Sequence, residues 1–235
     1  MKKLYKSSLL IVIIAVCLFL VGCGGENPPA KKEYNEANYT FTSIPTFEKE
    51  LTIEEVKTAL SSAVAYFATA KSYSYTQTMT GEYDSQYNYQ GVTKIDVSGS
   101  TPKASIELTG TTEYAFYVAE GKAYLNYNGY KICYAVETNL SDLIEKTQGS
   151  IGAFVSFDEK NITADNLEFA GEDKDGATVV KYNVSDEASV IIVIHENKIM
   201  KVLYANDDSI EYVSKYDYNP VTVTLPSDLD SYVEQ

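Results

Sequence analysis

The spacing of apolar residues changes several times along this chain, and each change predicts a different element. Leu9 to Val21 is an almost unbroken apolar run preceded by Lys2, Lys3 and Lys6. It is too short to cross a bilayer comfortably and has the layout of a secretory signal peptide, which places a removable segment at residues 1–22. Residues 24–50 lose all periodicity, with three of the six prolines, few aliphatics and mixed charge. Together with Cys23 they read as a lipidated N-terminus and flexible linker over 23–50, with a reach on the order of 30 Å. A single globular domain is expected over 51–235.

At Thr52 a helical period begins. Thr52 and Glu55 have the spacing of a capping box, and Glu54 and Glu55 sit where the helix dipole favours acids. Ile53, Val56, Leu60, Val64 and Phe67 fall on one stripe at 100° per residue, which predicts an amphipathic helix over Thr52–Ala70. From Ser72 the period becomes two. Tyr73/Tyr75/Met79, Ala104/Ile106/Leu108, Tyr114/Phe116/Val118, Ala123/Leu125/Tyr127 and Ile132/Tyr134/Val136 alternate with polar residues. The same alternation continues in Thr178–Val184, Ile199–Tyr204, Ile210/Tyr212 and Val221/Val223/Leu225, with Val190–Ile194 as a solid apolar run. Glu120-Gly121, Asn128-Gly129, Asp175-Gly176, His195-Glu196-Asn197 and Asn206-Asp207-Asp208 are hairpin signals between them, and such short loops require antiparallel neighbours. A short helix is expected over Leu140–Thr147. The fold class is therefore α+β: about ten antiparallel strands in a strongly curved sheet, an open half-barrel covered by the first helix and the inserted one.

Composition adds an address. Leu20-Val21-Gly22-Cys23 resembles the bacterial lipobox, in which the thiol of the Cys is acylated and becomes the first residue of the mature chain. Two or three acyl chains hold a protein on a membrane far more firmly than one, at roughly 0.8 kcal/mol per buried methylene. The expected location is the extracytoplasmic face of a cell membrane, lipid-anchored through Cys23. Loss of Lys2, Lys3 and Lys6 with the signal takes the formal charge from −14 to −17. All basic residues are Lys, and the missing guanidinium together with this charge argues against nucleic acid as a partner.

Catalytic chemistry is thinly supplied. His195 is the single histidine and falls at a predicted turn, and Cys133 is the single thiol left once Cys17 and Cys23 are assigned. A typical zinc site is excluded on those counts, and a Cys133/His195 dyad needs a spatial coincidence that nothing in the sequence favours. The acidic stretch Gly171–Gly176 fails an EF-hand pattern and reads as a polar hairpin turn. No cofactor is implied and a non-enzymatic role is expected. The 21 Tyr, with 8 Phe and no Trp, suit strand surfaces; Tyr83, Tyr87 and Tyr89 could alternatively form an exposed aromatic platform.

The order of elements, on a chain bearing a lipobox, resembles the LolA-like lipoprotein-carrier superfamily with its LppX/LprG-type lipoproteins. These elements are an amphipathic helix, a long antiparallel meander, a short helical insertion and a last strand ending Val221-Thr-Val-Thr-Leu-Pro226. The resemblance spans Leu51–Asp230 and implies an incompletely closed barrel whose apolar space between sheet and helices takes acylated molecules. The resemblance assigns no individual residue; from the helix stripe and the strand alternation, the expected ligand-lining residues are Val56, Leu60, Val64 and Phe67 from the helix, with Tyr73, Tyr75, Ile106 and Phe116 opposite. The competing expectation is an adhesion or envelope-assembly module with a solid core, working through its Tyr-rich surface.

Overall fold

The computed structural model describes residues 34–44, 46–81, 88–110, 113–136, 160, 162–206 and 210–235, all within the compact unit Tyr34–Gln235. The signal peptide, the lipobox with Cys23, the inserted helix at Leu140–Thr147, and Tyr83 and Tyr87 lie outside the described residues. The elements are β1 (Phe47–Glu50), α1 (Ile53–Thr69), β2 (Ser72–Gly81), β3 (Tyr89–Asp96), β4 (Lys103–Gly110), β5 (Tyr114–Ala119), β6 (Lys122–Tyr127) and β7 (Tyr130–Ala135), followed by β8 (Leu167–Asp173), β9 (Thr178–Ser185), β10 (Ala188–His195), β11 (Lys198–Asn206), β12 (Ile210–Asp217) and β13 (Val233–Glu234). They form one sheet in the order β1-β8-β9-β10-β11-β12-β2-β3-β4-β5-β6-β7-β13. All of its ladders are antiparallel except that of β13 on β7. The sheet is curved and unclosed, with β1 and β13 as its two ends.

The helix forms as its capping box dictates. Thr52 Oγ1 accepts from the Glu55 N–H, and Glu55 Oε2 accepts from the Thr52 N–H at 2.8 Å. Three hairpins close where the sequence placed them: Glu120-Gly121, Asn128-Gly129 and Glu196-Asn197 all take positive φ at both positions, which matches the right-handed twist of the strands they join; Asp207 and Asp208 of the expected last turn lie outside the described residues.

Two departures change the strand count to thirteen. Val221–Leu225 alternates but forms no strand; Pro220 removes a donor at its start, and each strand from β8 to β7 in the sheet order already has two partners. In return β1, β3, β8 and β13 appear without an apolar alternation to announce them. On β3 the inward positions include Gly91 and Thr93, which dilute the signal. On β8 the face away from the helix is interrupted by Gly171, over which the ring of Phe47 lies so closely that a Cβ could not fit.

Residues 34–44 and 46–50 depart from the expected linker, because they are folded against the body. Tyr34, Phe41, Ile44 and Phe47 pack around Tyr39, which is 1% exposed, and cover Ala177, Val179, Ile191, Val193 and Leu203. The Tyr39 hydroxyl donates to buried Asp173 at 2.6 Å, and buried Lys201 donates to the Tyr39 carbonyl at 2.6 Å. The opposite face of the same strands carries Val180, Tyr182, Val190, Ile192, Ile194, Ile199 and Val202, which meet Val56, Leu60 and Ala63 of α1. Strands β9 to β11 are thus covered on both faces, the physical reason Val190–Ile194 is apolar throughout.

Candidate ligand site

Beyond β11 the sheet continues as β12 and β2 to β7, and its helix-side face changes character. The ladders place side chains in rows across these strands. One row reads Tyr216, Tyr75, Thr93, Ile106, Phe116, Leu125 and Ile132; the next reads Ser214, Gln77, Gly91, Leu108, Tyr114, Tyr127 and Tyr130. A third begins Tyr212, Met79, Tyr89 and Gly110. None of the side chains in these rows is charged, whereas the alternate positions on the other face include Lys94, Glu107, Lys122, Lys131, Glu211 and Lys215.

Aromatic rings make a continuous line along this face. Phe67 at the end of α1 touches Tyr73 (ring centroids 5.0 Å apart) and Tyr216 (5.9 Å), and Tyr216 continues to Tyr75 at 5.4 Å. Burial pushes the Tyr216 phenol well above its ordinary range and that of Tyr89 up to about 12. These tyrosines are therefore neutral at any physiological pH. Gln77 donates to the Tyr212 hydroxyl, so their buried polar ends satisfy one another. Thr93 differs: it is 2% exposed and its hydroxyl has no hydrogen-bond partner among the described residues.

At the ends of β2, β3 and β4 lies a cleft of about 400 Å³, lined by Met79, Tyr89 and Gly110 from these rows, by Thr78, Thr80, Gln90 and Thr109 from the alternate positions, and by Asn88. That volume falls within the roughly 300–1,000 Å³ range of small-molecule sites. Gly110 is required there, since a Cβ would run into the Asn88 carbonyl.

The eight residues expected to line a ligand pocket are divided between two apolar clusters. Val56 and Leu60 belong to the cluster on β9 to β11 and are 0% and 1% exposed, with Val64 packed against them. Tyr73, Tyr75, Ile106 and Phe116 lie together on the uncharged face, with Phe67 against them. Periodicity located the apolar stripe of the helix but not which strands each turn of it would meet. Met79 was visible as an inward strand position; Tyr89 and Gly110 were not, because their strand neighbours are polar or small.

Other sequence candidates are placed as follows. Cys133 is buried on β7 and His195 ends β10, eight steps away in the sheet order, or about 38 Å along the sheet surface at the usual strand spacing. Their neighbours differ as well, Tyr34 beside His195 and Tyr124 and Glu234 beside Cys133, so the fold does not bring them together as a dyad. In the acidic turn, Asp173 accepts from the Asp175 and Ala177 N–H groups as well as from Tyr39, so this carboxylate builds the β8–β9 hairpin. Tyr89 belongs to the uncharged face. Exposed Tyr127 and Tyr130 flank the Asn128-Gly129 turn. Among the described residues no helix is long and apolar enough to cross a membrane.

These features define an open antiparallel half-barrel with an apolar, uncharged inner face and helix cover over one part of it. Among solved structures, the Mycobacterium tuberculosis lipoprotein LppX is similar at a TM-score of 0.47 and 12% identity, over 74% of this chain and 100% of that one. An uncharacterized conserved protein from Thermus thermophilus is similar at a TM-score of 0.38 and 10% identity, over 77% and 99%. No family model and no curated protein matches the chain.

Proposed function

We propose that this chain is a membrane-anchored extracytoplasmic lipoprotein, acylated at Cys23, that binds a lipid-like or other apolar ligand along the uncharged face of β12 and β2 to β7. The observation that carries this reading is the cleft of about 400 Å³ at the ends of β2, β3 and β4, where that face contributes Met79, Tyr89 and Gly110 to the lining. An apolar chain entering there gains roughly 25 cal/mol for each Å² of apolar surface removed from water, with no charged side chain to desolvate. Phe67, Tyr73, Tyr75, Ile106 and Phe116 are the part of the expected lining that such a ligand would meet. Val56, Leu60 and Val64 act instead by fixing α1 to the sheet.

The test uses the purified full chain stripped of lipid. A fluorescent fatty acyl probe should bind saturably, and Met79→Trp, which fills the cleft, should weaken uptake at least about tenfold with little change in melting temperature. In cells, Cys23→Ser should move the protein out of the membrane fraction and abolish incorporation of labelled palmitate. Absence of saturable uptake by the unsubstituted chain overturns ligand binding; membrane retention of the Cys23 variant overturns the anchor. The alternative adhesion role, through exposed Tyr127 and Tyr130, predicts cell-surface binding that Met79→Trp leaves intact.

A further inference from the structure

We propose that Thr93 is a hydrogen-bonding subsite for one uncharged oxygen embedded in the ligand, an ester or amide carbonyl, and that Leu108 is the side chain that moves to admit it. The inference rests on the reading of the uncharged face as the ligand-binding face and specifies the chemistry that face selects.

Thr93 sits in mid-strand on β3, opposite Tyr75 on one side and Ile106 on the other. Its side chain is almost wholly buried, yet among the described residues its Oγ1 has no hydrogen-bond partner. A Val would fill the same space, suit the strand equally well and leave no hydroxyl unpaired, so Thr at this point destabilises the empty protein. The nearby polar groups do not relieve it: Gln77 is committed to Tyr212, and Tyr212 is bonded in turn to Ser214.

A route connects this hydroxyl to the cleft. Tyr89, which lines the cleft, is four residues from Thr93 on the same face of β3, and the position between them on that face is Gly91. The space a side chain would occupy over Gly91 is taken by Leu108, whose Cδ2 lies 2.5 Å from where a Cβ would stand. Leu108 is half-buried, and the end of a Leu side chain shifts between rotamers at little cost. Its displacement would join the cleft to Thr93 across a bare stretch of backbone.

The type of ligand group follows from the surroundings. With no charged side chain in these rows, an ionised carboxylate or ammonium at Thr93 would lose its hydration without a counter-charge. A hydroxyl donating to a carbonyl oxygen needs none. The subsite therefore favours acyl esters or amides over both free fatty acids and plain hydrocarbons of equal length.

Three pyrene-labelled dodecyl probes, the alkane, the methyl ester and the free carboxylate, are titrated into the stripped full chain. The unsubstituted protein should bind the ester most tightly. Thr93→Val should weaken the ester about threefold to tenfold, the worth of one hydrogen bond, leave the alkane unchanged, and melt at the same or a higher temperature. Thr93→Ser should restore the ester preference, and Leu108→Ala should speed ester entry. Equal ester binding by Thr93→Val and the parent, or equal weakening of ester and alkane, overturns the subsite while leaving ligand binding standing. An unchanged entry rate in Leu108→Ala overturns the gate. Failure of the parent to bind any of the three probes removes the ligand-binding reading itself.

Discussion

Glu55 joins three contacts that a four-residue sequence pattern nearly specifies. It accepts from Lys49 Nζ at 2.6 Å, from the Thr52 N–H and from the Thr52 hydroxyl, and these donors, Lys49 first, hold its carboxyl down at about 2. A carboxylate whose folded pKa lies below its unfolded one contributes stability above the unfolded value, and that contribution drains as pH falls from about 4.5 towards 2. Glu55→Gln should therefore unfold at lower urea than the parent at neutral pH, and the two should converge near pH 2; a constant gap across that window would contradict the assignment. Loss of the cap itself, in Thr52→Ala, should cost about 1 kcal/mol at neutral pH. The pairing of Thr52 with Glu55 was legible in the sequence because both partners are local. The contact from Lys49 was not, since it depends on β1 turning back alongside β8.

At the scale of elements, the segment from Tyr34 to Glu50 and helix α1 act as covers on opposite faces of β9 to β11. Composition alone predicted a linker for the first, because its apolar residues are mostly single aromatics spaced among polar ones. These rings pack on the sheet, and buried Asp173 and Lys201 supply the polar partners that Tyr39 and the segment's backbone need. Burial lowers the pKa of Lys201, in keeping with an ammonium held mainly by carbonyl oxygens. Tyr39→Phe removes a donor from the buried Asp173 carboxylate and should cost roughly 1–3 kcal/mol. Denaturant titration reads the loss, and backbone amides of residues 34–50 should exchange faster with solvent. If the stability and exchange are unchanged, the segment is not held by this bond. For α1, the depth of Leu60 means that a larger residue there would overpack the helix–sheet contact and not plug a pocket.

For the molecule as a whole, one consequence of so much Tyr on an uncharged inner face is sensitivity to alkali. Burial raises the phenols of Tyr89 and Tyr182 to about 12 and holds that of Tyr216 well above its ordinary value. A folded pKa above the unfolded value near 10 keeps stability complete below about pH 10 and loses it as pH climbs towards 12. Ultraviolet titration should show the buried tyrosines, Tyr89 and Tyr182 among them, ionising above their ordinary range and together with loss of near-ultraviolet circular dichroism. Ionisation of all tyrosines in a single step near pH 10 would show that the inner face is wet. The sequence by itself determined the helix and its cap, the hairpin turns, most of the strands and the antiparallel half-barrel, because these depend on residue spacing over a few positions. Only the tertiary structure decided which face of the sheet each cover occupies, that the expected lining splits between two clusters, and that the cleft opens at Met79 and Tyr89. Those outcomes depend on register between strands far apart in the chain, where one Gly or Thr among apolar neighbours counts for more than the average period.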